Sequence, residues 1–230
     1  MKRYRKLREL GKGGMATVWM AHDTLLERDV ALKVPHEQLV ETVEGRERFL
    51  REARAASRLE HAGIATVYDA GEEEGRLFIA YRYVPGRTVS ERLRGGRVEV
   101  EEAVRVVREA AEALGYAHRM GIVHRDVSAR NIMIDEEGRA VVVDFGLARL
   151  EAETRLTRTG TALGTVTYMA PEVVRGEEAT AQSDVYGLGV VLYEMVTGRV
   201  PFEGDRPQSV LYKVVHEEPR WPGEVVEGLP

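Results

Sequence analysis

The sequence predicts an α+β protein of two lobes, and three observations carry that reading. The first third is cut into short, partly alternating apolar runs separated by glycine or charged turns, the pattern of β-strands. The later part holds two long apolar-periodic segments, 100–119 and 181–197, closed by Gly121 and Gly198, the pattern of helices. Strands gathered in front and helices behind give a small β-rich lobe followed by a larger helical one. At 230 residues, 43% hydrophobic and 31% charged, the chain has globular composition. At that size a chain buries roughly 70% of its unfolded surface.

In order, the predicted strands are Tyr4–Leu10, Thr17–His22 and Val30–Val34. A helix follows over Gly45–Leu59, with Phe49, Leu50, Ala53, Ala56 and Leu59 on one side. Two more strands, Thr66–Ala70 and Leu77–Tyr83, flank the charged turn Gly71–Gly75, whose acidic triplet reads as a solvated loop. The character changes at Pro85-Gly86. Beyond the helix Val100–Arg119 lie the short apolar runs Ile132–Ile134 and Val141–Val143. A polar, threonine-rich loop over Glu151–Thr165 then leads to the helix Ala181–Thr197. The lobes are expected at 1–84 and 85–230.

Several classes are disfavoured. A net charge of −5 argues against a broad basic face for nucleic acid. The absence of cysteine excludes disulfides, thiolate metal sites and a cysteine nucleophile. The longest apolar stretch, around Gly187–Val196, is interrupted by Glu194 and far short of the ~20 residues a membrane span needs. The basic N-terminus has no apolar core behind it and is not a signal peptide. A cytoplasmic location is expected, with the cytoplasmic part of a longer membrane-anchored protein as the alternative.

The chemistry-bearing residues come in a fixed order. Leu10-Gly11-Lys12-Gly13-Gly14 lies between two predicted strands, not between a strand and a helix, so it does not fit a dinucleotide fold. A glycine hairpin can lay backbone N–H groups over phosphates. Lys33 sits inside an apolar strand, where an ammonium needs an anionic partner or a route to water. Glu52, nineteen residues on, is its candidate counter-charge. His124-Arg125-Asp126 precedes Asn131, and Asp144-Phe145-Gly146 follows three valines. Two aspartates and an asparagine at strand ends are hard oxygen ligands of the kind Mg²⁺ takes, with one aspartate free to orient a hydroxyl.

This succession, closed by Ala170-Pro171-Glu172, resembles a eukaryotic-type protein kinase over about Leu7 to Phe202. It is most similar to the bacterial Hanks-type serine/threonine kinases, in Gly13-Gly14-Met15-Ala16, in Tyr168–Glu172 and in Ser183–Gly189. The resemblance implies a two-lobed kinase fold and transfer of the ATP γ-phosphoryl to Ser or Thr hydroxyls of proteins, its own activation loop included. It implies ATP and Mg²⁺, with Mn²⁺ as a substitute. Gly11, Gly13 and Gly14 would close over the phosphates, Lys33 would pair with the α- and β-phosphates, and Glu52 would hold Lys33. Asn131 and Asp144 would bind the metal, and Asp126 would orient the substrate hydroxyl. Val18, Ala31 and Met133 would form the apolar slot for adenine, with Leu10 and Tyr81 also at the nucleotide and backbone groups of Arg82–Val84, Tyr83 among them, as the hinge hydrogen bonds. Arg125 would dock a phosphothreonine at Thr157, Thr159 or Thr161. Thr165 resembles the residue that braces the catalytic aspartate, and Asp184 the one that holds the catalytic-loop backbone.

Four departures stand out. Ala16 replaces the third loop glycine. Ser128 stands where a lysine is usual, and Arg130 is placed to supply the missing charge, as in tyrosine kinases; a tyrosine or dual-specificity kinase is therefore an alternative. Tyr81 is a bulky gatekeeper expected to close the space behind adenine. The chain ends before the last helices of such domains, which removes the usual arginine partner of Glu172. The exposed apolar surface expected there suggests a homodimer, and a catalytically weak ATP-binding scaffold is the other alternative.

Overall fold

A computed structural model describes residues 2–14, 16–145 and 166–229. The front of the chain forms an antiparallel sheet of five strands: β1 (Tyr4–Lys12), β2 (Ala16–Asp23), β3 (Arg28–Pro35), β4 (Val67–Glu73) and β5 (Arg76–Arg82). Their spatial order is β1-β2-β3-β5-β4. Alternation gives the sheet two apolar faces. On one, Tyr4, Ala21, Val30, Leu32, Phe78 and Ala80 form a cluster. On the other, Ile79 and Tyr81 pack with Phe49 and Ala53 of helix α1 (Val43–Ala56). Lys33 lies opposite Val18 on one side and Ile79 on the other, so it shares the face that carries α1.

Helix α1 starts two residues before the expected Gly45, because Thr42 caps it and accepts a hydrogen bond from the Gly45 N–H at 3.0 Å. Gly45 stays glycine for a steric reason: a Cβ there would overlap the Leu39 carbonyl. The turn between β4 and β5 is tighter than expected. It is Glu74-Gly75, both with positive φ (52° and 78°), the two-residue hairpin turn that suits the strand twist. Glu72 and Glu73 therefore belong to β4 and are not a solvated loop. The Glu72 carboxylate pairs with Arg46, and Glu73 accepts from the backbone N–H of Arg3 at 3.0 Å.

Behind the sheet, β6 (Gly86–Thr88), β7 (Ile132–Asp135) and β8 (Ala140–Val142) make a second, three-stranded sheet. Helix α2 (Val89–Leu93) follows β6 directly, opened by a reciprocal capping box between Thr88 and Glu91. Helix α3 (Val100–Arg119) buries an alanine-rich stripe of Ala103, Val106, Ala110, Ala113, Leu114 and Ala117. Small residues let it lie close to β8 and to the long helix α5 (Ala181–Thr197). Among the described residues of this lobe there are also three short helices: α4 (Pro171–Val174), α6 (Pro207–His216) and α7 (Pro222–Val225). Each opens on proline, whose fixed φ and missing N–H suit the first helical position. The fold is α+β, with a β lobe of five antiparallel strands and a helical lobe, as the sequence predicts.

Candidate active site

The segment His124–Asn131 runs between α3 and β7 and is held from three sides. Asp184, buried at the start of α5, accepts hydrogen bonds from the His124 N–H (2.8 Å), the Arg125 N–H (2.8 Å) and His118 Nε2 (2.7 Å). This clamp holds Arg125 at φ 70°, a left-handed conformation that costs a non-glycine residue about 1–3 kcal/mol. His124 is fully buried. Its Nε2 donates to the Val143 carbonyl at 2.9 Å and its Nδ1 accepts from the Asp126 N–H at 3.2 Å, which fixes a neutral imidazole with its proton on Nε2. Helix α5 approaches so closely at Gly187 that a Cβ there would sit 2.9 Å from the Val127 carbonyl oxygen.

Within the loop, Asn131 Nδ2 donates to both the backbone carbonyl (2.8 Å) and the carboxylate (2.9 Å) of Asp126. With its amide nitrogen thus engaged, the Asn131 side-chain oxygen is its remaining polar atom. Ser128 is buried and its carbonyl accepts from the Asn131 N–H, whereas Arg130 is exposed. Asp144, just past β8, has φ 65° and pairs with Lys33 Nζ at 3.1 Å, an ion pair that crosses from one sheet to the other.

That pair is where the structure departs from the expected wiring. Lys33 is engaged by Asp144 and not by Glu52, and both Glu52 carboxylate oxygens are buried without a hydrogen-bond partner. Burial pushes the Glu52 carboxyl up to about 7, against the opposing pull of Arg125, Arg48, Arg51 and Lys33. A carboxyl raised from its ordinary 4.5 favours folding fully below that value, and the contribution is lost as pH rises through about 7. Glu52→Gln is accordingly expected to exceed the parent in stability by roughly 1–3 kcal/mol at pH 8 and to match it near pH 4.5. Urea unfolding at the two pH values measures this, and a less stable variant at pH 8 would reject a burial cost on ionised Glu52.

The remaining expected residues fall into two groups. Ala65, Val84 and Val141, with Met133 and Val143 against them, form an apolar cluster below the small lobe. Ala31 instead packs with Tyr81 in the cluster under α1. Tyr83 is half-buried beside Val84, and Leu10 and the glycine hairpin are exposed. A Cβ at Gly11 or Gly14 would meet nothing within 4 Å, and neither has a positive φ. Tyr81 is buried, so inhibitors that need the space behind it are expected to gain about tenfold on Tyr81→Thr, 1.4 kcal/mol of binding. Competition assays with a matched inhibitor pair test this, and equal affinities would reject it.

Thr157, Thr159, Thr161, Gly164, Thr165 and Gly146 lie outside the described residues. Three contacts that no local spacing announces also belong to this region. Arg125 pairs with the exposed Glu178 at 3.7 Å. The Tyr168 hydroxyl donates to Glu194, whose carboxyl burial pushes upward. The Ser183 hydroxyl donates to Glu172 at 2.6 Å, so Glu172 has a partner within this chain.

Among the described residues no group of three or more His, Cys, Asp or Glu comes together. The oxygen set Asn131 and Asp144 suits a cation held by one or two protein oxygens plus substrate phosphates, the manner of Mg²⁺. Two lobes, a lysine–aspartate pair between them and an asparagine-braced aspartate beside it define a protein-kinase-like molecule. The chain belongs to the protein kinase domain family, whose model matches residues 4–223. It is 42% identical over 231 residues to the probable serine/threonine-protein kinase pknA2 of Bifidobacterium longum, covering 99% of this chain and 30% of that protein. It is 42% identical to the serine/threonine-protein kinase PrkC of Bacillus subtilis, over 94% of this chain and 34% of that one. With the serine/threonine-protein kinase PknB of Mycobacterium leprae the identity is 44%, over 96% and 36%. The chain thus spans about a third of the length of these curated relatives. Among the described residues no helix is long and apolar enough to cross a membrane.

Proposed function

We propose that this chain transfers the γ-phosphoryl group of ATP to serine or threonine hydroxyls of proteins, its own loop threonines included. The observation that carries the reading is the convergence of Asp126, Asn131, Asp144 and Lys33, tied by the 2.9 Å amide–carboxylate bond and the 3.1 Å ion pair. Phosphoryl transfer asks mainly for positioning and neutralisation of charge. In this reading residues 1–84 and 85–230 are the two lobes that meet over the nucleotide.

Each residue then has a task. The hairpin glycines at 11, 13 and 14 leave room for phosphates to approach the backbone, since no neighbouring atom and no positive φ demands glycine at 11 or 14. Lys33 neutralises phosphate charge. Leu10, Val18, Ala31 and Met133 receive the base, Tyr81 stands behind it, and the Arg82–Val84 segment supplies its backbone groups. Asp126 accepts the hydroxyl proton and aims the oxygen, with Asn131 fixing its carboxylate. Asn131 and Asp144 hold Mg²⁺, which when bound neutralises the phosphates, and Mn²⁺ satisfies the same oxygens. Arg130 is an exposed cation within the loop and stands in for the lysine replaced by Ser128. Arg125, beside Glu178, exchanges that partner for a phosphothreonine at Thr157, Thr159 or Thr161.

Mass spectrometry after incubation with Mg²⁺-ATP tests the reading. Phosphate on serine or threonine of the chain or of a generic protein substrate supports it, and phosphotyrosine alone would instead favour the specificity suggested by Ser128 and Arg130. A second reading, an ATP-binding regulatory module with weak catalysis, draws on one observation: Glu52 is unpaired while Asp144 occupies Lys33. ATP bound without any transfer would favour it.

A further inference from the structure

Two buried polar groups beside the cleft lack hydrogen-bond partners: the Glu52 carboxylate and the Tyr81 hydroxyl. Such orphans are uncommon in buried positions, and each asks for an explanation. These two lie in one place. Tyr81 packs against Phe49 and Ala53, residues of α1 one turn before Glu52 and immediately after it. The β3–β5 register sets Ala31 opposite Tyr81 and Lys33 opposite Ile79, so Lys33 and Tyr81 are diagonal neighbours on the same face. The charges of Asp144 and Glu52 both act on the Tyr81 phenol.

The cations facing Glu52 are otherwise committed or turned to solvent. Lys33 is held by Asp144 at 3.1 Å and Arg125 by Glu178 at 3.7 Å. Arg51 is exposed, and Arg48 has contacts of its own. A carboxylate only accepts hydrogen bonds and a phenol donates one, so the two orphans complement each other.

We propose that Tyr81 is a positioning residue for Glu52: its hydroxyl donates to the Glu52 carboxylate and keeps it in place, ready for Lys33, while Asp144 holds the lysine. Forming this bond requires a side-chain rotation, since neither group has a partner in the structure. The significance for activity rests on the kinase reading, because Glu52 matters there as the group that takes Lys33 when Asp144 releases it. The hydrogen bond itself does not depend on that reading.

The test is ¹³C NMR of the Glu52 side-chain carboxyl, assigned with Glu52→Gln, in the protein and in Tyr81→Phe. Phenylalanine keeps the ring and removes only the donor. The Glu52 titration is expected to move up by about one pH unit in Tyr81→Phe, a tenfold change in proton affinity. An unchanged midpoint would overturn the proposal. Where Tyr81→Phe fails to fold, the reciprocal measurement decides. The Tyr81 ζ-carbon shift should follow Glu52 between about pH 5 and 9 and stay flat in Glu52→Gln, and a flat response in the protein itself would be fatal. In an active protein, the acid limb of kcat/KM should move with the same displacement. A chain that transfers no phosphate at all would count against the kinase reading and leave the NMR result standing by itself.

Discussion

Asp126→Asn is expected to slow phosphoryl transfer by about 10²–10⁴-fold, the range for removing a positioned proton acceptor. The geometry makes this a clean substitution. Asparagine keeps the size of the side chain, and the backbone bonds that place it remain: Asn131 Nδ2 to the Asp126 carbonyl at 2.8 Å, and the Asp126 N–H to His124 Nδ1 at 3.2 Å. What disappears is a carboxylate oxygen able to take a proton from a hydroxyl. ATP affinity is therefore expected to stay within a few-fold while the initial rate of phosphate incorporation falls. Calorimetric ATP binding and a radiolabel transfer assay on the same preparations separate the two quantities. An undiminished rate would move the proton acceptor to another residue, and joint loss of binding and fold would make Asp126 structural.

The largest effect on stability is expected from Asp184→Ala. The Asp184 carboxylate is 1% exposed and accepts three hydrogen bonds, from two loop amides and from His118. Removing it leaves one buried and two part-buried donors without an acceptor, and unsatisfied buried groups cost about 1–3 kcal/mol each. Breaking a buried charged network in this way typically costs about 3–5 kcal/mol, a large share of a domain's stability. Activity should fall as well, because the same bonds hold Arg125 in its left-handed conformation next to Asp126. Urea midpoints at unchanged m-value measure the first effect. Asp184→Asn, which retains an acceptor, should lose clearly less. A shift below about 0.5 kcal/mol for the alanine variant would place the loop's support elsewhere.

The long elements of this fold are legible in the sequence because periodicity is a local property. The five strands of the sheet and helices α1, α3 and α5 all lie where apolar spacing puts them, within a few residues at their ends. The short helices are not legible in that way. Thr88 and Glu91 are spaced as a capping box, yet α2 is five residues long and offers no stripe to recognise. Helices α4 and α7, four residues each, give only a proline and one first-turn glutamate as opening signals.

At the site, residue types and their order reveal which groups matter and not which of them touch. Lys33 has two acidic candidates, Glu52 at nineteen residues and Asp144 at more than a hundred, and the structure chooses the distant one. The choice turns on where α1 lies against the sheet, a packing outcome with no mark in local spacing. Glu178 beside Arg125, Glu194 beside Tyr168 and Ser183 beside Glu172 were hidden for the same reason. The acidic triplet failed differently. A turn of only Glu74-Gly75 returns Glu72 and Glu73 to a strand, where their carboxylates find partners.

The clamp on residues 124–131 has one more consequence. Asp126 is located by His124 before it, by Asn131 after it, and by Asp184 and the helix face at Gly187 from far away in sequence. Val127, Ser128 and Ala129 are buried, the Ala129 carbonyl accepts from the Ser90 N–H at 2.8 Å, and Arg130 alone in the segment 126–131 is exposed. Position 130 is thus free to vary without moving Asp126. Under the proposed function, substrate preference set at Arg130 and the geometry of Asp126 would be separable, so a lineage could retune one without rebuilding the other.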